Sequence, residues 1–268
     1  MSETTSSLTR PLAVVTGASS GIGLELAKQF ASNGYDLLVN AEDAGLAAAA
    51  EQLRSGGVSV TPVQADLATY DGVEQLYAAI TATGRPVAAA ALNAGVGQGG
   101  AFVDTDLADE IRLIDLNVTS TVHLAKRLLK DMVARDDGKV LVTSSIASTM
   151  PGSFQAVYNA SKSFLQSFTE ALQNELKDTQ VTLTALMPGP TATNFFSRAG
   201  MDDTPVGQSS SKDDPAQVAQ QGFQALLSGN DKVVGGSLST KAQAAANAVL
   251  PDKVKAAAHR AMAEPESS

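Results

Sequence analysis

Leu12-Ala13-Val14-Val15-Thr16-Gly17-Ala18-Ser19-Ser20-Gly21-Ile22-Gly23 is the stretch that decides the fold. Its first half is an unbroken apolar run, the pattern of a strand buried on both faces. Its second half is a turn with three glycines. Beyond it, Ile22, Leu26, Phe30 and Ala31 recur on one face of a helix. Strand, glycine turn and helix in that order make a corner that holds a dinucleotide. Glycine lets the chain turn sharply and approach a pyrophosphate with no Cβ in between. The helix N-terminus offers free N–H groups and a partial positive charge to phosphate oxygens. Gly17, Ser19, Ser20, Gly21, Ile22 and Gly23 are therefore the candidate phosphate-binding residues.

Working outward, strand and helix patterns alternate along most of the chain. Strands are predicted at 11–16, 35–40, 58–63, 87–92, 138–144, 180–187 and 231–235, with helices at 22–33, 43–55, 70–83, 107–134, 157–177 and 215–228. Such alternation predicts an α/β fold: a Rossmann-type, doubly wound parallel sheet of about seven strands with helices on both faces. Residues 10–238 form the single catalytic domain in this reading, after a flexible N-terminus at 1–9. A long irregular stretch, 190–214, reads as a mobile substrate loop. From 239 onward an Ala-rich extension reads as one or two helices broken at Pro251, with a frayed end at Glu264–Ser268.

The composition narrows the function. The chain of 268 residues carries a net charge of −9, which disfavours nucleic acid and anionic membranes as partners. No apolar run approaches the ~20 residues of a membrane-spanning helix, and the Ser/Thr-rich start has no apolar core of a signal peptide. Cysteine is absent, which excludes disulfides and thiolate ligands and fits a cytoplasmic location. With only His123 and His259, neither a metal site nor a Ser-His-Asp triad is expected. His123 reads as a packing or surface residue, and Asp104, Asp106, Asp109 and Glu110 as an acid-rich helix start.

Tyr158 and Lys162 stand four apart in a helical pattern, so both point to one side. Ser144-Ser145 ends the strand Val140–Thr143. Asn93-Ala94-Gly95 follows the strand 87–92, Asp66-Leu67 follows the third strand, and Asn117 lies inside the helix 107–134. Pro188-Gly189 ends the sixth strand, with Thr191 and Thr193 just beyond. Together with Thr16-Gly-x-x-x-Gly-x-Gly23, these motifs from about residue 10 to 195 resemble the short-chain dehydrogenase/reductase family in its short one-domain form.

The resemblance implies a hydride transfer between a nicotinamide cofactor and a carbonyl or secondary alcohol. It makes Tyr158 the general acid/base, Lys162 its electrostatic support and a ribose ligand, Ser145 the residue that orients the substrate oxygen, and Asn117 the holder of a relay water. A free phenol has a pKa of about 10, so lowering it by ~3 units needs ~4 kcal/mol of differential stabilisation. Asp66, Leu67, Asn93, Ala94, Gly95, Pro188 and Gly189 are implied cofactor contacts, with Thr191 and Thr193 competing for the carboxamide. Ser144 reads as structural.

The second-strand end reads Asn40-Ala41-Glu42-Asp43. Members that use NAD usually have an aspartate at the position of Ala41. Those that use NADP usually have an arginine at that of Glu42 or a basic residue at that of Ser20. Glu42 and Asp43 repel a 2′-phosphate, which favours NAD over NADP, unless Arg54 or Lys28 reaches in. Ile146, Ala147, Phe154 and Phe195 are expected to line the substrate pocket, which favours a small neutral hydrophobic ketone or alcohol. A homodimer through the long helices is expected, with a tetramer as the alternative, because Leu113, Leu116, Leu124, Leu129, Phe164 and Leu165 read as a second apolar face. The extension is expected either to block the second family interface or to close a neighbouring subunit's site. Two other functions share the scaffold: a dinucleotide sensor without chemistry, which typically lacks the Tyr or the Lys, and another reaction such as epimerisation or dehalogenation.

Overall fold

The computed structural model describes residues 10–266, so the N-terminal segment 1–9 and the final Ser267-Ser268 lie outside the described residues. Seven strands form one parallel sheet in the order β3-β2-β1-β4-β5-β6-β7. They are β1 (Leu12–Thr16), β2 (Asp36–Ala41), β3 (Val60–Gln64), β4 (Val87–Leu92), β5 (Gly138–Thr143), β6 (Val181–Pro188) and β7 (Lys232–Gly235). Each stands within about two residues of its predicted place. The register runs Val14 against Leu38 on one side and Ala90 on the other. The strand order reverses between β1 and β4, and the crevice at such a reversal is where open α/β sheets bind ligands.

Helices cover both faces. One core joins the sheet to α1 (Gly21–Ser32), α2 (Gly45–Arg54) and α9 (Pro215–Ser228) through Leu26, Phe30, Leu46, Val218 and Phe223. Phe30 is fully buried, edge-on to both Tyr35 and Phe223, and burial of such a ring contributes about 2–3 kcal/mol. The other core joins the sheet to α3 (Tyr70–Ala82), α5 (Ser120–Ala134) and α6 (Ala156–Glu175) through Leu76, Ile80, Leu124, Leu128 and Leu165.

The predicted helix 107–134 is interrupted. α4 (Leu107–Ile114) passes through a π-helical turn at Asp115–Thr119 into α5. The wider turn shifts the phase of the helix face. Leu113, Leu116, Leu124 and Leu129 are buried in this protomer's own core, as is Leu165. They are therefore not a second apolar face. Of the six residues assigned to it, only Phe164 is exposed; the exposed apolar residues on and just before α4 are Phe102, Val103, Leu107, Ile111 and Ile114.

The stretch 190–214 is more ordered in pattern than its composition implies. It contains α7 (Phe195–Arg198) and α8 (Pro205–Gln208), and Phe196, Ala199 and Met201 form a small core with Ala263. The extension forms α10 (Leu238–Asn247) and α11 (Asp252–Ala263), divided at Pro251 as predicted. It folds back onto its own subunit: Glu266 N–H donates to Asp203 O, and Asn247 Nδ2 donates to Thr149 Oγ1. Asp213 ties the two segments together, accepting from Thr240 Oγ1 at 2.5 Å and Ser237 N–H at 2.9 Å.

Candidate active site

The glycine corner is shaped by steric necessity. Gly17 and Gly21 have φ of +67° and +56°, the left-handed region that favours glycine. A Cβ on Gly23 would lie 2.0 Å from Gly17 O, so only glycine lets α1 start this close to the turn. Ser20 caps α1 without a side-chain hydrogen bond, so the first N–H groups of the helix face the crevice. This cradle and its open helix end fit a pyrophosphate. Thr16 and Asn93 brace it. Thr16 Oγ1 accepts from the N–H groups of Asn93 and Ala94 at 2.9 and 3.0 Å, while Asn93 accepts from Thr143 Oγ1 at 3.0 Å. Asn93 therefore stitches β1, β4 and β5 together at the crevice floor.

One continuous cleft runs from this corner over the carboxyl ends of the strands. Its wall includes Gly17, Ser19, Ser20, Gly21, Ile22, Gly23, Glu42, Asp66, Leu67, Asn93, Ala94, Gly95, Ser145, Ile146, Ala147, Tyr158, Lys162, Pro188, Gly189, Thr191, Thr193 and Phe195. Two predicted site residues are not on it. Asn117 is fully buried behind Gly95, its Oδ1 accepting from Val96 N–H at 2.9 Å and its Nδ2 donating to Val96 O and Ser161 Oγ. Its amide is committed to fixing the turn after β4, and it sits in the π-helical turn, an irregularity frequent at functional sites. Phe154 is not on the cleft wall; it packs against the small core of Phe196, Ala199, Met201 and Ala263, and the Arg260 guanidinium lies 5.3 Å from its ring centre.

Tyr158, Lys162 and Ser145, the residues expected to act in catalysis, converge on the cleft from two elements. α6 carries Tyr158 and Lys162. Ser145 follows β5, its Oγ accepting from Ala147 N–H at 3.0 Å and donating to Pro188 O at 3.3 Å, near enough to the Tyr158 phenol to lower its pKa. Lys162 Nζ donates to Thr143 O at 2.9 Å and stands 5.8 Å from the Tyr158 ring centre. Ser144 Oγ donates to Lys162 O at 3.2 Å. Phe195 packs on Tyr158 at 5.2 Å between ring centres and against Gly97, where a Cβ would come within 2.5 Å of the ring.

Burial dominates the electrostatics. It pushes the Tyr158 phenol up to about 12, against the hydrogen bond from Ser145, which lowers it. Burial also pushes Lys162 down to about 8. The expected depression of Tyr158 by Lys162 is therefore not realised by these two residues alone. The ammonium is directed at Thr143 O, and desolvation of the phenolate outweighs it.

At the adenine end the acids are partly neutralised by a residue that the sequence analysis did not single out. Arg112 on α4 bridges Glu42 and Asp66, at 2.9 Å to Asp66 Oδ2. Burial raises Asp66, but the Arg112 hydrogen bond and the Ala68 N–H win and hold its carboxyl below the usual range. Asp43 accepts from Ser19 Oγ at 2.7 Å. Arg54 and Lys28 are held elsewhere, by Glu51 with Val60 O and by Glu25. His123 pairs with Glu74 and packs on Tyr70, in keeping with a surface role. Also missed were Val96, Gly97 and Gln155, and from the extension Gln243, His259, Met262 and Ala263. His259, Met262 and Ala263 stand at i, i+3 and i+4, a spacing that signals a single helix face.

Residues 11–203 match the family model for short chain dehydrogenase. The chain belongs to the short-chain dehydrogenase/reductase family of oxidoreductases. It is 33% identical over 191 residues to a 3-oxoacyl-[acyl-carrier-protein] reductase of Synechocystis, covering 70% of this chain and 77% of that one. A Sphingobium yanoikuyae short-chain dehydrogenase solved with NADPH superposes with a TM-score of 0.79 at 27% identity, covering 89% and 93% of the two chains. A Burkholderia phymatum relative solved with NAD gives 0.76 at 25% identity, covering 84% and 88%.

Proposed function

We propose that this oxidoreductase reduces a carbonyl, or oxidises the corresponding secondary alcohol, with Tyr158 as general acid/base and NAD as the preferred cofactor. The observation that carries this reading is the meeting of the Tyr158 phenol, the Ser145 hydroxyl and the Lys162 ammonium in one cleft with the glycine cradle. When bound, the reduced nicotinamide supplies the hydride that reaches the carbonyl carbon. Ser145 holds the carbonyl oxygen. Tyr158, protonated at neutral pH by its raised pKa, delivers the proton to that oxygen. Lys162 steadies the phenolate left behind, and its bond to Thr143 O sets its place under the ring. Gly17, Ser19 to Gly23, Asp66, Leu67, Asn93 to Gly95, Pro188, Gly189, Thr191 and Thr193 hold the dinucleotide in this reading.

The preference for NAD rests on charge. Three carboxylates (Glu42, Asp43 and Asp66) meet one guanidinium, Arg112, which leaves a local balance of −2 facing any 2′-phosphate. The apolar lining by Ile146, Ala147, Met150 and Phe195 supports a neutral ketone or alcohol as substrate. We place the protein in the cytoplasm as a homodimer, supported by the absence of cysteine and by the exposed stripe Leu107, Ile111 and Ile114. No helix of the described residues is long and apolar enough to cross a membrane.

Initial rates with a panel of aliphatic and aryl ketones, each with NADH and NADPH, test the proposal. Turnover faster with NADH is the expected result. Tight dinucleotide binding without turnover of any ketone or alcohol favours the sensor reading instead.

A further inference from the structure

The extension closes the substrate end of its own cleft. Asn247 Nδ2 donates to Thr149 Oγ1 at 3.1 Å, Lys255 Nζ donates to Thr149 O at 3.0 Å, and Ser153 Oγ donates to Ala256 O at 3.2 Å. With Arg260 over Phe154, these contacts dock the extension onto the segment 149–154, which follows Ser145. The left-handed backbone of Phe154 shapes that segment and is a conformation that such residues rarely hold without a purpose. The docked face of α11 brings His259, Met262 and Ala263 to the cleft wall.

His259 is 5% exposed, and its Nδ1 lies 2.8 Å from Ser153 O. A carbonyl only accepts, so the Nδ1 edge carries a proton. Burial lowers the pKa of the ring and keeps it neutral, which leaves Nε2 as a hydrogen-bond acceptor. Nε2 has no partner among the described residues. Gln155, 7% exposed, lines the same cleft, and its amide nitrogen is a buried donor without a partner. Met150, Phe196, Val206 and Met262 line the same cleft, with Gln243 and Arg198 as further polar groups. A substrate that is hydrocarbon throughout leaves the buried Gln155 donor unpaired and strips water from the His259 acceptor, which is unfavourable. A hydroxyl group, which both donates and accepts, satisfies the pair.

We propose that His259 and Gln155 form a polar subsite for a second hydroxyl group, so that the substrate is a neutral hydroxyketone or diol rather than a plain alkanone or monoalcohol. This rests on the reading of Tyr158 and Ser145 as the groups that take the reacting oxygen. His259 lies on α11, beyond the residues 11–203 that the family model matches.

The test is the ratio of kcat/KM for ω-hydroxy-2-alkanones of increasing chain length to that for the matched 2-alkanones. In the native protein at least one hydroxyketone is expected to lead its partner by about tenfold or more. His259→Asn keeps a donor for Ser153 O but reaches no further, and the ratio is expected to fall towards one. His259→Gln, whose longer amide reaches the place of Nε2, is expected to keep part of the preference. Gln155→Leu, which leaves the anchor of α11 intact, is expected to lower the ratio as His259→Asn does. Turnover of plain alkanones with no hydroxyl preference in the native protein overturns the subsite alone, as does a ratio that none of these variants moves. Absence of turnover for both sets overturns the reductase reading and the subsite with it.

Discussion

Lys162→Met separates what the fold requires from what the chemistry requires. Lys162 is 5% exposed and its ammonium is desolvated, with a pKa lowered from 10.5 to about 8. At ~1.36 kcal/mol per pH unit, that gap corresponds to about 3 kcal/mol of destabilisation wherever the folded lysine is charged. Methionine has a similar length and no charge. It forfeits the hydrogen bond to Thr143 O, worth ~1 kcal/mol, so the net gain near pH 7 is about 2 kcal/mol. For a chain of this size that raises Tm by roughly 4–8 °C. The sign with pH follows from a folded pKa below the unfolded one. Stability associated with the neutral lysine is fully present above about 10.5 and is lost as pH falls to about 8. The advantage of the variant is therefore largest below pH 8 and shrinks as pH approaches 10.5. Thermal unfolding by circular dichroism without dinucleotide, at pH 7 and pH 10.5, measures both values, while turnover and dinucleotide affinity are expected to collapse. A Tm lowered at pH 7 would refute the reasoning, because it would mean that the buried ammonium stabilises the fold.

Three further perturbations address the cradle, the adenine end and the extension. Gly23→Ala places a Cβ 2.0 Å from Gly17 O, so NADH affinity, followed by nucleotide fluorescence, should fall at least about tenfold, or ~1.4 kcal/mol; unchanged affinity contradicts the cradle. Arg112→Met leaves Glu42 and Asp66 uncompensated, and NADPH binding should weaken relative to NADH by roughly tenfold. A native preference for NADPH of tenfold or more defeats that charge argument. Truncation after Ser239 strips His259 and Ala263 from the cleft and uncovers Met201, so KM should rise and Tm should fall; a truncated protein with both unchanged shows that the extension is dispensable.

The glycine corner was legible because each glycine answers a local requirement that no other residue meets, at Gly17 and Gly21 by φ and at Gly23 by the 2.0 Å approach. The strands were legible because a sheet covered on both faces leaves an unbroken apolar run, as in Val140-Leu141-Val142. The π-helical turn was not, since a single widened turn carries no compositional signal; yet it holds the buried Leu116 and the Asn117 that grips Val96. Arg112 was overlooked because its partner Glu42 is 70 residues away, and nothing in α4 alone points to the adenine end. The extension could be read as two helices, but its Ala-rich face hides where it docks. The Tyr158 and Lys162 spacing shows proximity but not the desolvation that, without the nicotinamide cation, keeps the phenol pKa high here.

The central claim is that Tyr158 gives and takes the proton. Tyr158→Phe keeps the ring on Phe195 and removes only the phenolic oxygen. Ketone reduction by this variant, measured as kcat with NADH beside the NADH dissociation constant, is the direct test. Turnover is predicted to fall by at least ~10²-fold, the low end for general acid–base catalysis, with NADH affinity little changed. A variant that reduces ketones at close to the native rate would contradict the assignment.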